Sequence, residues 1–284
     1  MNVEKISEDK LDYVGAICLD PSIGRQERKK MQPAMKNRIA WIKKMMVKGL
    51  TIFVALEKPK PQLIHYKWAG KMKHSDLALH GKVPMGLLEG IPIKFALEPV
   101  EGKGLFINCM WILPPFWLTG VGKSLLEKFI TSATKFGGAS VISYEGDRWF
   151  GTSINYMPSS FFKKYGFKEV DRDGSRILLY RNLGVEIQPK FISSKPESLN
   201  KNEKMIVEIF FNSQCPWSKY MVDEIKVKKK KYHEITFKFI NTDERKTIEK
   251  FGISRGVRIN GKPIIKRMAT WEEIELEIKN AQNM

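Results

Sequence analysis

Between residues 26 and 47, Met31, Met35, Ile39, Ile42 and Met46 recur at three- and four-residue steps, which predicts a long amphipathic helix whose methionine face is core. Ahead of it, an alternation over 2–7 predicts a first strand and 10–18 a helix. Residues 51–56 read as a strand, 58–80 as a polar excursion, and 83–88 with 91–96 as further strand. The apolar run 104–113 suits a buried strand, which Pro114-Pro115 stops. Leu125, Leu126, Phe129 and Ile130 give 120–136 one inward helical face, closed by Gly137-Gly138. A strand at 140–144, a short helix at 158–164 and a strand pair at 168–170 and 176–180 complete a mixed α/β succession.

From 184 to 204 periodicity fades and Pro189, Pro196, serines and asparagines accumulate, the composition of a linker. A second pattern follows: strand 205–211, helix 218–231, strand 235–241, helix 244–251, strand 256–259, an Asn260-Gly261 turn and helix 271–280. The expected organisation is therefore an α/β domain at 1–183, a linker at 184–204 and a small α/β domain at 205–284. At 284 residues, two domains are the default for the length.

Composition narrows the function classes. No stretch approaches a membrane span, and Met1-Asn2-Val3-Glu4-Lys5 lacks a signal-peptide layout, so a cytoplasmic location is expected and a membrane role is not. Cys18, Cys109 and Cys215 are far apart and odd in number, which predicts reduced thiols; without paired ligand spacing, no metal is expected. The net charge of +18 raises the question of nucleic acid, but the excess is spread over both halves rather than gathered in a tail, which disfavours that partner.

The chemistry-bearing junction is Ile112-Leu113-Pro114-Pro115-Phe116-Trp117-Leu118-Thr119-Gly120-Val121-Gly122-Lys123-Ser124: strand end, glycine turn, helix start. A helix N-terminus presents unpaired N–H groups and the positive end of its dipole, so it binds phosphate, and glycines let the ligand approach the backbone. A Walker-type loop would need glycine at 117, where tryptophan stands.

With these residues the chain resembles the GNAT acetyltransferases, which carry an apolar strand, a proline, and Q/R-x-x-G-x-G/A opening a helix; Ile112, Pro114, Gly120 and Gly122 match, and Trp117 replaces the Gln or Arg. A second match sets Asn155, Lys164, Gly166 and Phe167 on the family's N-x-x-A-x-x-l-Y-x-k-x-G-F pattern. The resemblance implies a GNAT-like fold, acetyl-CoA as cosubstrate and an amine-bearing acceptor. It implies a pyrophosphate held by Leu118, Thr119, Gly120, Val121, Gly122, Lys123 and Ser124, a pantetheine arm on the backbone of Ile112 and Leu113, and a further cofactor contact at Asn155.

Direct attack by an amine requires a polarised thioester carbonyl, a base for the amine and a proton for the leaving thiolate. The places where family members carry a tyrosine acid and a glutamate base hold Phe162 and Phe106. The remaining catalytic candidates are Glu89, Asn108, Glu145 beside Tyr144, and Tyr165.

In the C-terminal part, Gln214-Cys215-Pro216-Trp217-Ser218 sits between strand and helix and resembles the thioredoxin-like active-site turn in a monothiol form, with Arg255 where a cis-proline usually stands. The overall order resembles the YoaP-like acetyltransferases. This leaves two readings open: an N-acetyltransferase whose second domain assists acceptor binding or homodimerisation, or a thiol-binding or redox protein centred on Cys215 with a CoA-binding platform.

Overall fold

A computed structural model of the chain describes residues 1–66, 70–146, 157–184, 187–193 and 204–283. It opens with strand β1 (Asn2–Lys5), helices α1 (Asp12–Cys18) and α2 (Arg25–Met46), β2 (Thr51–Glu57), the antiparallel pair β3 (Leu63–Tyr66) and β4 (Gly70–Lys73), then β5 (Val83–Pro92). Next come β6 (Val100–Glu101), β7 (Leu105–Ile112), α3 (Val121–Ala133), β8 (Gly138–Ser143), α4 (Ser159–Lys163), β9 (Lys168–Asp173), β10 (Arg176–Asn182) and β11 (Lys190–Phe191). The last elements are β12 (Ile206–Phe211), α5 (Pro216–Lys228), β13 (Thr236–Asn241), α6 (Arg245–Phe251), β14 (Gly256–Ile259), β15 (Lys262–Ile265) and α7 (Trp271–Gln282). Seven strands form one mixed sheet in the order β1-β2-β5-β7-β8-β10-β9; four form another in the order β13-β12-β14-β15.

The chain divides into two compact units, Met1–Phe95 with Gly102–Val141 and Tyr180–Gln188, and Ala96–Glu101 with Ile142–Leu179 and Pro189–Met284. In the first unit β1, β2, β5 and β7 pair antiparallel, and β8 joins β7 in parallel. Helix α2 buries Met31, Ala34, Met35, Arg38, Trp41, Ile42 and Met45, while Ile39 and Met46 are only half-buried. The apolar face is thus rotated from the methionine stripe, because the bulky Trp41 and the buried Arg38 take places on it. Helix α3 packs on β2, β5 and β7 through Val121, Leu125, Leu126, Phe129 and Ala133.

Two expectations need correction here. The segment 91–96 is not a separate strand: β5 runs unbroken to Pro92 and Ile93–Phe95 forms a 3-10 turn. Gly90 keeps that strand continuous under α3, since a Cβ there would overlap the Phe129 ring. The polar excursion at 58–80 contains β3 and β4, whose alternation is carried by only two buried residues, Ile64 and Tyr66.

In the second unit β12 pairs parallel with β13 and antiparallel with β14. Val207, Ile209, Val222, Ile225, Val257, Ile274 and Ile278 form its core. Asn260 and Gly261 both have positive φ, the geometry of a tight hairpin turn, and carry β14 into β15, a strand the periodicity did not predict. Thr270 and Glu273 make a capping box that starts α7. Arg245 on α6 donates to the carbonyls of Ala96 and Glu98, at 2.9 and 2.8 Å, and of Val100, so a guanidinium fork anchors the 96–101 segment.

Gly90→Ala is expected to lower stability by about 1–3 kcal/mol through overpacking against Phe129. Denaturant unfolding checks this, and the added substitution Phe129→Leu should recover part of the loss.

Candidate functional site

Strand β7 delivers the chain to the junction singled out in the sequence. Past Ile112, the Leu113 amide donates to the Met85 carbonyl at 2.9 Å, and Pro114–Phe116 makes one 3-10 turn. The Trp117 indole N–H donates back to the Ile112 carbonyl at 2.8 Å, and the Thr119 hydroxyl to the Phe116 carbonyl at 2.7 Å. Trp117, standing where the resembled family has Gln or Arg, thus braces the loop. Leu118 and Gly120 both have positive φ, 62° and 85°. For glycine that conformation is free of strain; for a fully exposed leucine it costs energy, and such strain gathers at functional loops.

Gly120 is the N-cap of α3 and, as glycine, supplies no side-chain cap. Its first backbone hydrogen bond runs from Ser124 N–H to the Gly120 carbonyl at 3.1 Å. The amides of Val121, Gly122 and Lys123 therefore belong to the helix end that an anion can satisfy, with the dipole adding to the attraction. Val121 is buried and anchors the turn, Gly122 is half-buried, and the first turn holds no acidic residue. Lys123 is exposed and lies 3.9 Å from Glu127 one turn on, so its charge is available at the rim.

The strand behind this turn is irregular on both edges. β7 pairs with β8 from Leu105↔Ala139 to Ile107↔Val141, and its remaining residues, Asn108 to Ile112, extend past the last parallel pair. On the other edge Glu89 pairs with Cys109 and Gly90 with Ile107, so Asn108 is an extra residue, a β-bulge. Both changes fall at Asn108. Beyond it the strand runs on to Ile112 with no further parallel pair.

Beneath the bulge lies a buried polar cluster. Glu89 Oε2 accepts from Arg38 Nη2 at 2.9 Å and Glu89 Oε1 from Asn108 Nδ2 at 3.3 Å, all three side chains being buried. Glu89 and Asn108, two of the catalytic candidates, are therefore brought together. Arg38 escaped the sequence reading, although its position three residues after Met35 and four before Ile42 puts it on the inward face. Asp20 was also missed. Burial pushes its carboxyl up from the usual range, and hydrogen bonds from Ser22 and the Trp111 side chain hold it back.

Glu145 and Tyr165 belong to the second unit. Glu145 is exposed and pairs with Arg172 at 3.0 Å, a surface ion pair of small energetic weight. Tyr165 is half-buried just beyond α4, its ring 5.1 Å from Phe161. Phe162 is core, 5.7 Å from Phe167. The Tyr144 hydroxyl is pushed up chiefly by burial, with the Glu98 carboxylate adding to it. Asn155 lies outside the described residues. Cys215 is the half-buried N-cap of α5, followed by Pro216. Burial works against the cation of Arg255, and the Glu98 carboxylate more than offsets it, so the guanidinium is pushed above its ordinary range. Among the described residues no group of His, Cys, Asp and Glu has the makings of a metal site, and no helix is long and apolar enough to cross a membrane.

No family model matches the chain. A Bacillus subtilis (strain 168) protein described as the uncharacterized N-acetyltransferase YoaP is 23% identical over 202 residues, 70% of this chain and 68% of that protein. Among solved structures, the PaiA N-acetyltransferase of Thermoplasma acidophilum in complex with coenzyme A is 16% identical with a TM-score of 0.38, covering 64% of this chain and 99% of that one. An acetyltransferase from Thermus thermophilus is 12% identical with a TM-score of 0.39, covering 64% and 98%. Over most of its length the chain is thus similar in sequence to an N-acetyltransferase.

Arg38→Met alone leaves the Glu89 carboxylate buried without its cation and is expected to cost about 3–5 kcal/mol. The double variant Arg38→Met/Glu89→Met should recover most of that loss in chemical denaturation.

Proposed function

We propose that the chain is an N-acetyltransferase that binds acetyl-CoA on the α3 turn and passes the acetyl group to an amine by direct attack. The observation that carries this reading is the uncapped N-terminus of α3, set directly after a strand that outruns its parallel partner. The first feature suits a pyrophosphate, the second a thioester lying along a strand edge, and acetyl-CoA has both groups. The similarity to the B. subtilis N-acetyltransferase supports the same reaction class.

In this reading the amides of Val121, Gly122 and Lys123 hold the pyrophosphate, with Leu118, Thr119 and the Ser124 side chain around them. The backbone of Ile112 and Leu113 lines the pantetheine arm, with Asn155 as a further contact. Residues 1–183 form the acetyltransferase domain of a GNAT-like fold, 184–204 the linker, and 205–284 a thioredoxin-like domain. The location is cytoplasmic, and the C-terminal domain serves acceptor binding or dimerisation.

A second reading rests on Cys215, the N-cap at the positive end of the 13-residue helix α5. It makes Cys215 a monothiol site. Glutathione disulfide should then form a mixed disulfide with the wild type and not with Cys215→Ser; a wild type left unmodified removes this reading.

For the acetyltransferase, saturating acetyl-CoA is expected to raise the melting temperature, by the equivalent of about 2.7 kcal/mol at a hundredfold excess over Kd. Gly120→Val and Gly122→Val, still folded without ligand, should abolish that shift. A wild type whose melting is unmoved by any acyl-CoA would contradict the proposal.

A further inference from the structure

Between α1 and α2 the chain buries a carboxylate that the acetyl-transfer reading leaves unused. Asp20 is 3% exposed. It accepts from the Ser22 amide at 2.7 Å, from the Ser22 hydroxyl and from the Trp111 side chain on β7, all neutral donors. Arg28 acts on it only through space and is the weakest of these influences. Among the described residues Asp20 therefore has hydrogen bonds but no ion-pair partner.

A second buried group points the same way. Tyr66, the last residue of β3, is fully buried, and its hydroxyl has no hydrogen-bond partner among the described residues. Burial chiefly pushes that hydroxyl up, and the Asp20 charge adds to it, which puts phenol and carboxylate within electrostatic reach of each other. Strand β3 packs against the Pro114–Phe116 turn, and Trp111 is the penultimate residue of β7. Asp20 and Tyr66 thus border the end of the strand whose next residues, Ile112 and Leu113, line the pantetheine arm in the acetyl-CoA reading. Ser22 and Trp111 are half-buried, so the cluster is not sealed.

A carboxylate is costly to bury without a cation, and a phenol hydroxyl without a partner adds a second desolvation cost. One kind of ligand relieves both: an ammonium, which brings a positive charge and N–H donors for the carboxylate and the phenol oxygen. That ammonium is not the attacking nitrogen. A carboxylate is a far weaker base than an alkylamine, about 3.9 against about 10.4 in ordinary pKa, so it holds an ammonium without deprotonating it, whereas attack on a thioester needs a neutral amine.

We propose that Asp20 and the Tyr66 hydroxyl seat a second ammonium of the acceptor, so that the substrate class is a diamine, or an amine carrying another cationic group, rather than a simple monoamine. This inference rests on the acetyl-CoA reading. One nitrogen of the acceptor forms the amide bond as the thioester C–S bond breaks, and its proton leaves with the sulfur as the coenzyme A thiol. The nitrogen on Asp20 keeps its charge throughout.

The test uses the full chain and linear α,ω-diamines of three to six carbons, each compared with the n-alkylamine in which a methyl group replaces the second nitrogen. With acetyl-CoA, thiol release should favour at least one diamine over its monoamine by about 30-fold or more in kcat/KM, the effect of completing a buried charge pair. In Asp20→Asn that preference should collapse through KM. Tyr66→Phe, which removes only the hydroxyl, should weaken it about tenfold without lowering stability. Without acetyl-CoA, the preferred diamine should move the Trp111 indole N–H NMR signal in the wild type and not in Asp20→Asn. A folded Asp20→Asn that keeps the preference, or a wild type that treats every diamine like its monoamine, would overturn the proposal. Should Asp20→Asn fail to fold, an unchanged preference in Tyr66→Phe would overturn it equally. A diamine that moves the indole signal in a protein whose melting no acyl-CoA shifts would instead overturn the acetyl-CoA reading and leave Asp20 as a cation site.

Discussion

A guanidinium and a carboxylate are costly to remove from water, and the chain buries both under its central strand. Arg38 and Glu89 meet at 2.9 Å, with Asn108 completing the set. Much of the first unit is organised by that contact. It fixes which face of α2 turns inward, placing a cation among methionines, alanine and tryptophan. It locks β7 against β5 at the one residue where their pairing goes out of step. Hydrophobic burial alone would hold α2 on the sheet in several rotations; a paired charge in an apolar surround holds it in one.

The turn proposed to hold the pyrophosphate depends on that order at one remove. Helix α3 rests on β5 where Gly90 leaves room for Phe129, so the helix axis is set by the strand that the ion pair fixes. Its N-terminus offers amide donors without a side-chain cap, and the loop before it is braced by Trp117 and Thr119 bonding to carbonyls. A rigid donor array loses little freedom when an anion arrives, which favours tight binding. The strand beyond Ile107, past its last parallel pair, is where the proposed reading lays the thioester end of the ligand.

Local pattern and tertiary contact contributed differently to what could be read beforehand. The Gly120 turn was legible because glycine spacing and the proline stop are local features, and α3, β7 and β14 follow from period and breakers within about ten residues. The β3–β4 pair was not, since short strands with few buried positions carry little periodic signal. Arg38 was hidden for a different reason. A charged residue at an inward position reads as a boundary of the apolar face until its partner is known, and Glu89 lies 51 residues away. The same holds for the grip of Arg245 on the 96–101 carbonyls, which no spacing announces. Glu89 and Asn108 were visible as candidates, but their mutual contact depends on a bulge that alternation cannot reveal.

The open end of α3 is proposed as an anion site for acetyl-CoA. It is tested most directly by titrating coenzyme A into nitrogen-15-labelled protein and following the backbone amide signals. Val121, Gly122 and Lys123 are expected to shift together and saturate with one dissociation constant, while pantetheine, which lacks the pyrophosphate, leaves them unmoved. Saturable binding of coenzyme A with those three signals unchanged would contradict it.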